Sequence, residues 1–217
     1  SVAAHLKSSS VLLPLAPDGL PTSVATALID DDGAASYTFE LAWELPGLAD
    51  RLPFMLQATT LLHTGSIATM LAPGAAEVLA AVEHAHPSAT ISFDPNCRPS
   101  IITDVDYARR QAEKFVTLAD VVKASDEDLE WLYPGEDPLD SARRWLSLGG
   151  SEGPAMVVVT RGAQGPWGVN AAGEAHFTAP SVKVADTVGA GDSFMAALLS
   201  GVVDLGLDGA QNRADLR

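Results

Sequence analysis

Four short strand-like runs, "ATTLLHTG", "ATISFD", "ADVVKAS" and "AMVVVT", punctuate the middle of the chain, with helical stretches between them. That alternation constrains the fold more than any other feature, because strands joined through helices return in the same direction and build a parallel sheet with helices against its faces. The intervening stretches carry their own boundary signals. Residues 75–85 begin just after Pro73, Thr103 is placed to cap a helix running through Leu118, and Asp137-Pro138 opens another helix that stops at Gly149-Gly150. "VVV" at 157–159 is apolar on both faces, as a central parallel strand covered on both sides requires. Behind it, "PWGVNAAGEAHFTAP" reads as two short strands joined around residues 171–173. Nearer the N-terminus, "VATALI" and "SYTFEL" flank the acidic turn "DDDGAA", so residues 24–41 are expected to form a β-hairpin, a small sheet of its own.

Composition narrows the partners. The 217 residues are 47% hydrophobic, enough to bury the core of one ordinary domain. Against 13 basic residues stand 28 acidic ones, a net charge of −15 that repels polyanions and excludes nucleic acid and anionic membranes as expected partners. A phosphate must therefore be bound by local structure. The single cysteine, Cys97, has no partner for an intrachain disulfide. "VLLPLAP" is too short for a signal peptide and holds two prolines, and no apolar stretch is long enough to span a bilayer, so the expected compartment is the cytoplasm.

The chemistry concentrates in "DTVGAGDSFMAALLSG", residues 186–201. Residues 193–203 make a good apolar helix, which puts Gly189, Ala190 and Gly191 at its N-terminus, where backbone N–H groups are unpaired and the helix dipole favours anions. Small residues let a ligand approach those donors. Asp192, in the first turn, then stands beside an oxyanion site and is suited to take the proton of a hydroxyl attacking a phosphoryl group. Taken alone, Gly-Ala-Gly-Asp reads equally well as a capped turn with an acidic first-turn residue.

The longer string resembles the C-terminal signature of the ribokinase-like, or PfkB, sugar kinase family, and other stretches agree with that family in order. "TRGAQG", residues 160–165, matches its T-x-G-x-x-G nucleotide loop, with Thr160, Gly162 and Gly165 at the motif positions; by spacing alone it also fits a strand-to-hairpin turn. "VKASDEDLEWL" resembles its K-x-N-x-x-E element, which the resemblance assigns to nucleotide contact through Lys123 and Ser125, and to magnesium-bound water through Asp128. Here Ser125 replaces the family's asparagine and Asp128 its glutamate, and the pair equally forms a capping-box variant opening a short helix over 126–132. "FDPNCRPS" matches the D-x-N-x-R of the fructokinase-like and 2-keto-3-deoxygluconate-kinase-like branches, which implies substrate contacts from Asn96 and Arg98. "PTSVATALIDDDGAASYTFE" resembles part of the β-lid, placing lid strands at roughly residues 21–45; Asp30, Asp31 and Asp32 read as solvated.

The resemblance implies a ribokinase-like three-layer α/β/α fold over residues 1–217, with a mostly parallel central sheet and a small β-lid, the family's N- and C-terminal parts being absent from the chain. It implies an ATP-dependent kinase acting on a primary hydroxyl, with fructose first. The alternatives are 2-keto-3-deoxygluconate, ribose or a nucleoside as acceptor, and, from a different class, a catalytically silent interaction protein. Magnesium, a potassium site using Asp186 and a homodimer through the lid follow from the same source. His84 and His86 are two apart, which does not place them on one helical face for a metal; His63 reads as a satisfied histidine beside a strand end, and Cys97 as an unreactive thiol.

Overall fold

The computed structural model describes residues 2–13, 22–29, 35–181, 183 and 188–217. They divide into two compact units, Ser1–Ala42 and Trp43–Arg217. The first holds a short helix, α1 (Val2–Ser8), which carries no sequence signal, and the expected hairpin, β1 (Val24–Ile29) and β2 (Ala35–Glu40). The two strands pair antiparallel, from Val24 opposite Glu40 to Ile29 opposite Ala35. The turn aspartates, Asp30, Asp31 and Asp32, lie outside the described residues.

The second unit follows the α/β alternation: α2 (Leu48–Met55), β3 (Leu61–Gly65), α3 (Gly74–Ala85), β4 (Thr90–Asp94), α4 (Val105–Leu118), β5 (Val121–Ser125), α5 (Asp126–Leu132), α6 (Pro138–Leu146), β6 (Met156–Thr160), β7 (Trp167–Asn170), β8 (Gly173–His176), α7 (Ala190–Asp204) and α8 (Arg213–Leu216). Among the described residues its six strands lie in chain order across one sheet. The first four run parallel, and β7 and β8 return antiparallel as a hairpin. This is the three-layer α/β/α arrangement with a mostly parallel sheet.

Side chains alternate between the two faces of each strand, and the two faces bury different cores. Ile91, Phe93, Val122, Ala124, Val157 and Val159 face the larger core, closed by Val82 of α3, Phe115 of α4, Leu129 of α5 and Trp145 of α6. Val121 and Ala155, with Leu61 and Met156, face a smaller core closed by Leu198 and Val202 of α7 and Leu216 of α8. Arg213 ties this second layer down. Its guanidinium donates to the fully buried Asp120 at 2.6 Å and to the carbonyls of His86 and Ala89, joining α8 to the end of α3 and the entries of β4 and β5.

Several boundaries differ from the sequence reading. Asp104, not Thr103, caps α4: its backbone is extended, and its carboxylate accepts the Tyr107 N–H at 2.9 Å. The helix opened by Asp137 ends at Leu146, and Gly149 then takes a left-handed conformation that leads into a 3-10 turn. Helix α7 starts at Ala190, three residues before the expected 193, because Gly189, with φ 75°, turns the chain directly into it. Helix α2 was hidden by Pro53, which sits inside it. Among the described residues no helix is long and apolar enough to cross a membrane.

Candidate active site

Parallel pairing brings the ends of β3, β4, β5 and β6 to one edge of the sheet. Gly65 lies opposite Asp94, and Ser125 opposite Thr160. Every candidate residue that the structure describes lies in the last three residues of one of these strands, in the segment that follows it, or at the opening of α7. Ligands bind at this edge in open α/β sheets because the loops and helix N-termini converge there.

The loop after β4 is held by carboxylates. Asp94 accepts the Asn96 N–H at 3.1 Å on one oxygen and the Lys123 ammonium at 2.7 Å on the other. Asp128 reaches across from α5 and accepts the Cys97 N–H at 2.7 Å. Between them Asn96 adopts φ 35°, a left-handed conformation costly for a side-chain-bearing residue, and its carbonyl accepts from Ser66 Oγ, itself at a left-handed φ of 56°. Arg98 is exposed, and its Nη1 donates to Asn96 Oδ1 at 2.6 Å and to the carbonyls of Asn96 and Cys97. Cys97 is buried; that burial, with the Asp128 carboxylate beside it, pushes its thiol well above the ordinary range, so it is inert.

Ser125 and Asp128 form the capping box that their spacing permits. Ser125 Oγ accepts the Asp128 N–H, while Asp128 Oδ2 accepts from both the N–H and the hydroxyl of Ser125. Both Asp128 oxygens are therefore engaged inside the protein. Among the described residues no group of three or more His, Cys, Asp or Glu is arranged to hold a metal. The residues present fit a cation carried in on phosphate oxygens better than one caged by protein. Asp186, the potassium candidate, lies outside the described residues.

Across the rim, Thr160, Gly162 and Gly165 line a cavity of about 460 Å³ together with Ala190, Gly191 and Phe194 of α7. The cavity thus joins the glycine loop to the amides that open α7, and its volume falls in the range of small-molecule sites. Arg161 spans the loop, donating to the Gly165 carbonyl at 3.3 Å, and so holds its shape. Asp192 is exposed in the first turn of α7.

Two further residues belong here, one that the sequence reading took as a satisfied histidine and one that it quoted without a role. His63, open to solvent on one side at the edge strand, bonds Ser92 Oγ at 2.8 Å. Partial burial and the positive charge of Lys123 hold its imidazole below the usual value, while the Asp192 carboxylate pulls the other way. Asp94 is the second: it stood inside the quoted D-x-N-x-R motif, but only strand register shows that it meets Lys123.

The N-terminus of α7, an exposed carboxylate in its first turn and a glycine loop on the same cavity thus lie together at one edge of a parallel α/β sheet. The chain belongs to the pfkB family of carbohydrate kinases, whose family model matches residues 4–213. It is similar to a fructokinase of Rhizobium leguminosarum bv. trifolii, 33% identical over 199 residues that cover 90% of this chain and 59% of the relative. Among solved structures it resembles Vibrio cholerae O395 fructokinase in the apo form, with a TM-score of 0.74 and 27% identity over 92% of this chain and 69% of that one. A double mutant of that fructokinase, in a fructose-, ADP- and potassium-bound form, matches with a TM-score of 0.69 and 26% identity, over 91% of this chain and 64% of that one. The chain spans about 60% of the length of the curated relatives it matches.

Proposed function

We propose that the protein is an ATP-dependent sugar kinase that moves the γ-phosphoryl group to a primary hydroxyl, with fructose as the leading acceptor. The observation that carries this reading is the placement of Asp192 in the first turn of α7, beside the open amides of Gly189, Ala190 and Gly191 and on the helix that lines the cavity with the glycine loop. The fructokinase relatives, and the fructose and ADP in one similar structure, support the choice of substrates.

Asp192 accepts the hydroxyl proton as the sugar oxygen forms its bond to phosphorus and the bond to the leaving ADP oxygen breaks. The first amides of α7 point at the oxygens that gain charge in that step. Thr160, Gly162 and Gly165 hold the nucleotide, and Arg161 keeps their loop in shape. Asn96 and Arg98 orient the acceptor, Arg98 from a loop fixed by two carboxylates. Magnesium, bound to the phosphates, would supply charge neutralisation, and the family resemblance gives Asp128, in the first turn of α5, the role of ordering its water. A potassium site at Asp186, a homodimer formed through the β1–β2 hairpin acting as a lid, and a cytoplasmic location complete the reading and rest on the family resemblance.

The test uses the full gene product with magnesium-ATP and a panel of fructose, 2-keto-3-deoxygluconate, ribose, adenosine and fructose phosphates. Fructose should give the highest kcat/KM, and Asp192→Asn should lower kcat by about 10³-fold or more while nucleotide binding by calorimetry persists. A panel led by another acceptor overturns the substrate, and near-wild-type turnover of Asp192→Asn overturns the mechanism.

A further inference from the structure

Lys123 and Asp94 form an ion pair at the floor of the site, their side chains 4% and 6% exposed. Strand register and side-chain alternation explain how they meet, because Ser92 lies opposite Val121, so the residues two further on stand side by side on the face toward α7. Burial holds the Asp94 carboxyl above its ordinary value even though Lys123 pulls it down. A carboxyl raised in the folded state contributes stability only below its unfolded value and loses that contribution as pH rises through the folded one. Burying two charges sets a desolvation penalty against their attraction, so the pair is weak evidence of added stability. Apolar side chains of similar size would pack this row at least as well.

What the pair accomplishes follows from where the ammonium stands. Nζ lies 3.2 Å from the position a Cβ would occupy on Gly191, so it reaches the anion-binding end of α7. An ammonium has three N–H donors. Asp94 takes one, and among the described residues Lys123 forms no other hydrogen bond. Asp192 is the next residue after Gly191 in the first turn of α7, so the cation and the proposed base stand at the same helix end.

We infer that Asp94 is a positioning residue that fixes Lys123, so that its remaining N–H donors face the phosphate bound at the N-terminus of α7 and Lys123 acts as a cation on the group in transit. The four-carbon lysine stem has many rotamers, and a single short bond to a rigid strand end removes that freedom before the ligand arrives. A cation already in place stabilises developing charge without reorganising during the reaction. Gly191 is what admits it, since no side chain intervenes between Nζ and the first turn of the helix.

The inference rests on the phosphotransfer reading, and the experiment separates the two. In the full gene product, Lys123→Met should lower kcat with fructose and magnesium-ATP by about a hundredfold, and Asp94→Asn by about tenfold. If Asp94 acts through Lys123, the Asp94→Asn/Lys123→Met double variant should be no worse than Lys123→Met alone, because nothing is left to position. The apolar pair Asp94→Leu/Lys123→Met guards against loss of folding: it should unfold no earlier than wild type, yet match Lys123→Met in kcat. ADP affinity by calorimetry needs no sugar turnover, and it should fall in the same non-additive pattern, so the inference stays testable if the sugar reading fails. The imidazole of His63, followed by NMR, should titrate higher in Lys123→Met. Losses that multiply in the double variant, or wild-type kcat and ADP affinity in Asp94→Asn, overturn the inference.

Discussion

Single atoms decide much of what this site tolerates, and two glycines show it by contrast. A Cβ on Gly65, at the end of β3, would stand 1.9 Å from the Asp94 carbonyl oxygen, backbone against backbone with nothing able to yield. A Cβ on Gly191 would meet only Lys123 Nζ, at 3.2 Å, the far end of a flexible side chain. Gly65→Ala is therefore expected to cost about 3 kcal/mol of stability, whereas Gly191→Ala should fold with a cost below about 1 kcal/mol and lose turnover instead as the ammonium is pushed aside. Urea unfolding beside a coupled kinase assay separates the two effects, and equal stability losses would show that the close approach at Gly65 is relieved elsewhere. Neither contact was legible in the sequence. A glycine ending a strand looks like any other turn residue until the neighbouring strand's register is known.

At the scale of elements, α5 shows how a short helix is held by its first turn. Seven residues are too few to sustain a helix on propensity, so the Ser125 and Asp128 box, with three leucine and tryptophan side chains behind it, supplies the stability. Ser125→Ala should cost about 1 kcal/mol, and Asp128→Ala about 2 to 3 kcal/mol, because the aspartate also holds the Cys97 N–H and with it the loop after β4. Denaturant unfolding of both variants checks the order; a Ser125 variant worse than the Asp128 one would contradict it. This box, the hairpin at 24–41 and the four strand-like runs were legible because their signals are local: capping side chains, turn residues and uninterrupted apolar stretches. The cap of α4 was misplaced by one residue because Thr103 and Asp104 are both good caps, and only the backbone conformation chooses between them. Asp192 and the glycines around it were legible as a motif. The pairing of Asp94 with Lys123 was not, since 29 residues separate them and only the sheet brings them together.

For the molecule as a whole, the two edges of the parallel sheet carry different work. The strand ends bear the proposed chemistry, while the strand entries bear the Arg213 tie to Asp120, His86 and Ala89. Asp120 is fully buried, and its other oxygen already accepts the Ile91 N–H, so removing its cation strands a carboxylate with no water to turn to. Arg213→Met should cost about 3 to 5 kcal/mol, a large part of an ordinary domain's stability, with kcat for the folded fraction unchanged. Unfolding curves and active-site-normalised kinetics are the measurements, and a loss of kcat without a loss of stability would show that the edges are not separate. The strands between these edges are five residues long, about 16 Å, which is farther than most energetic coupling between independent sites reaches. The sheet therefore works as a spacer between two free-energy accounts, and substitutions at opposite ends of it should combine additively. A lineage of such chains can then drift in thermal tolerance at the entry side while its substrate preference is reshaped at the exit side, neither change constraining the other.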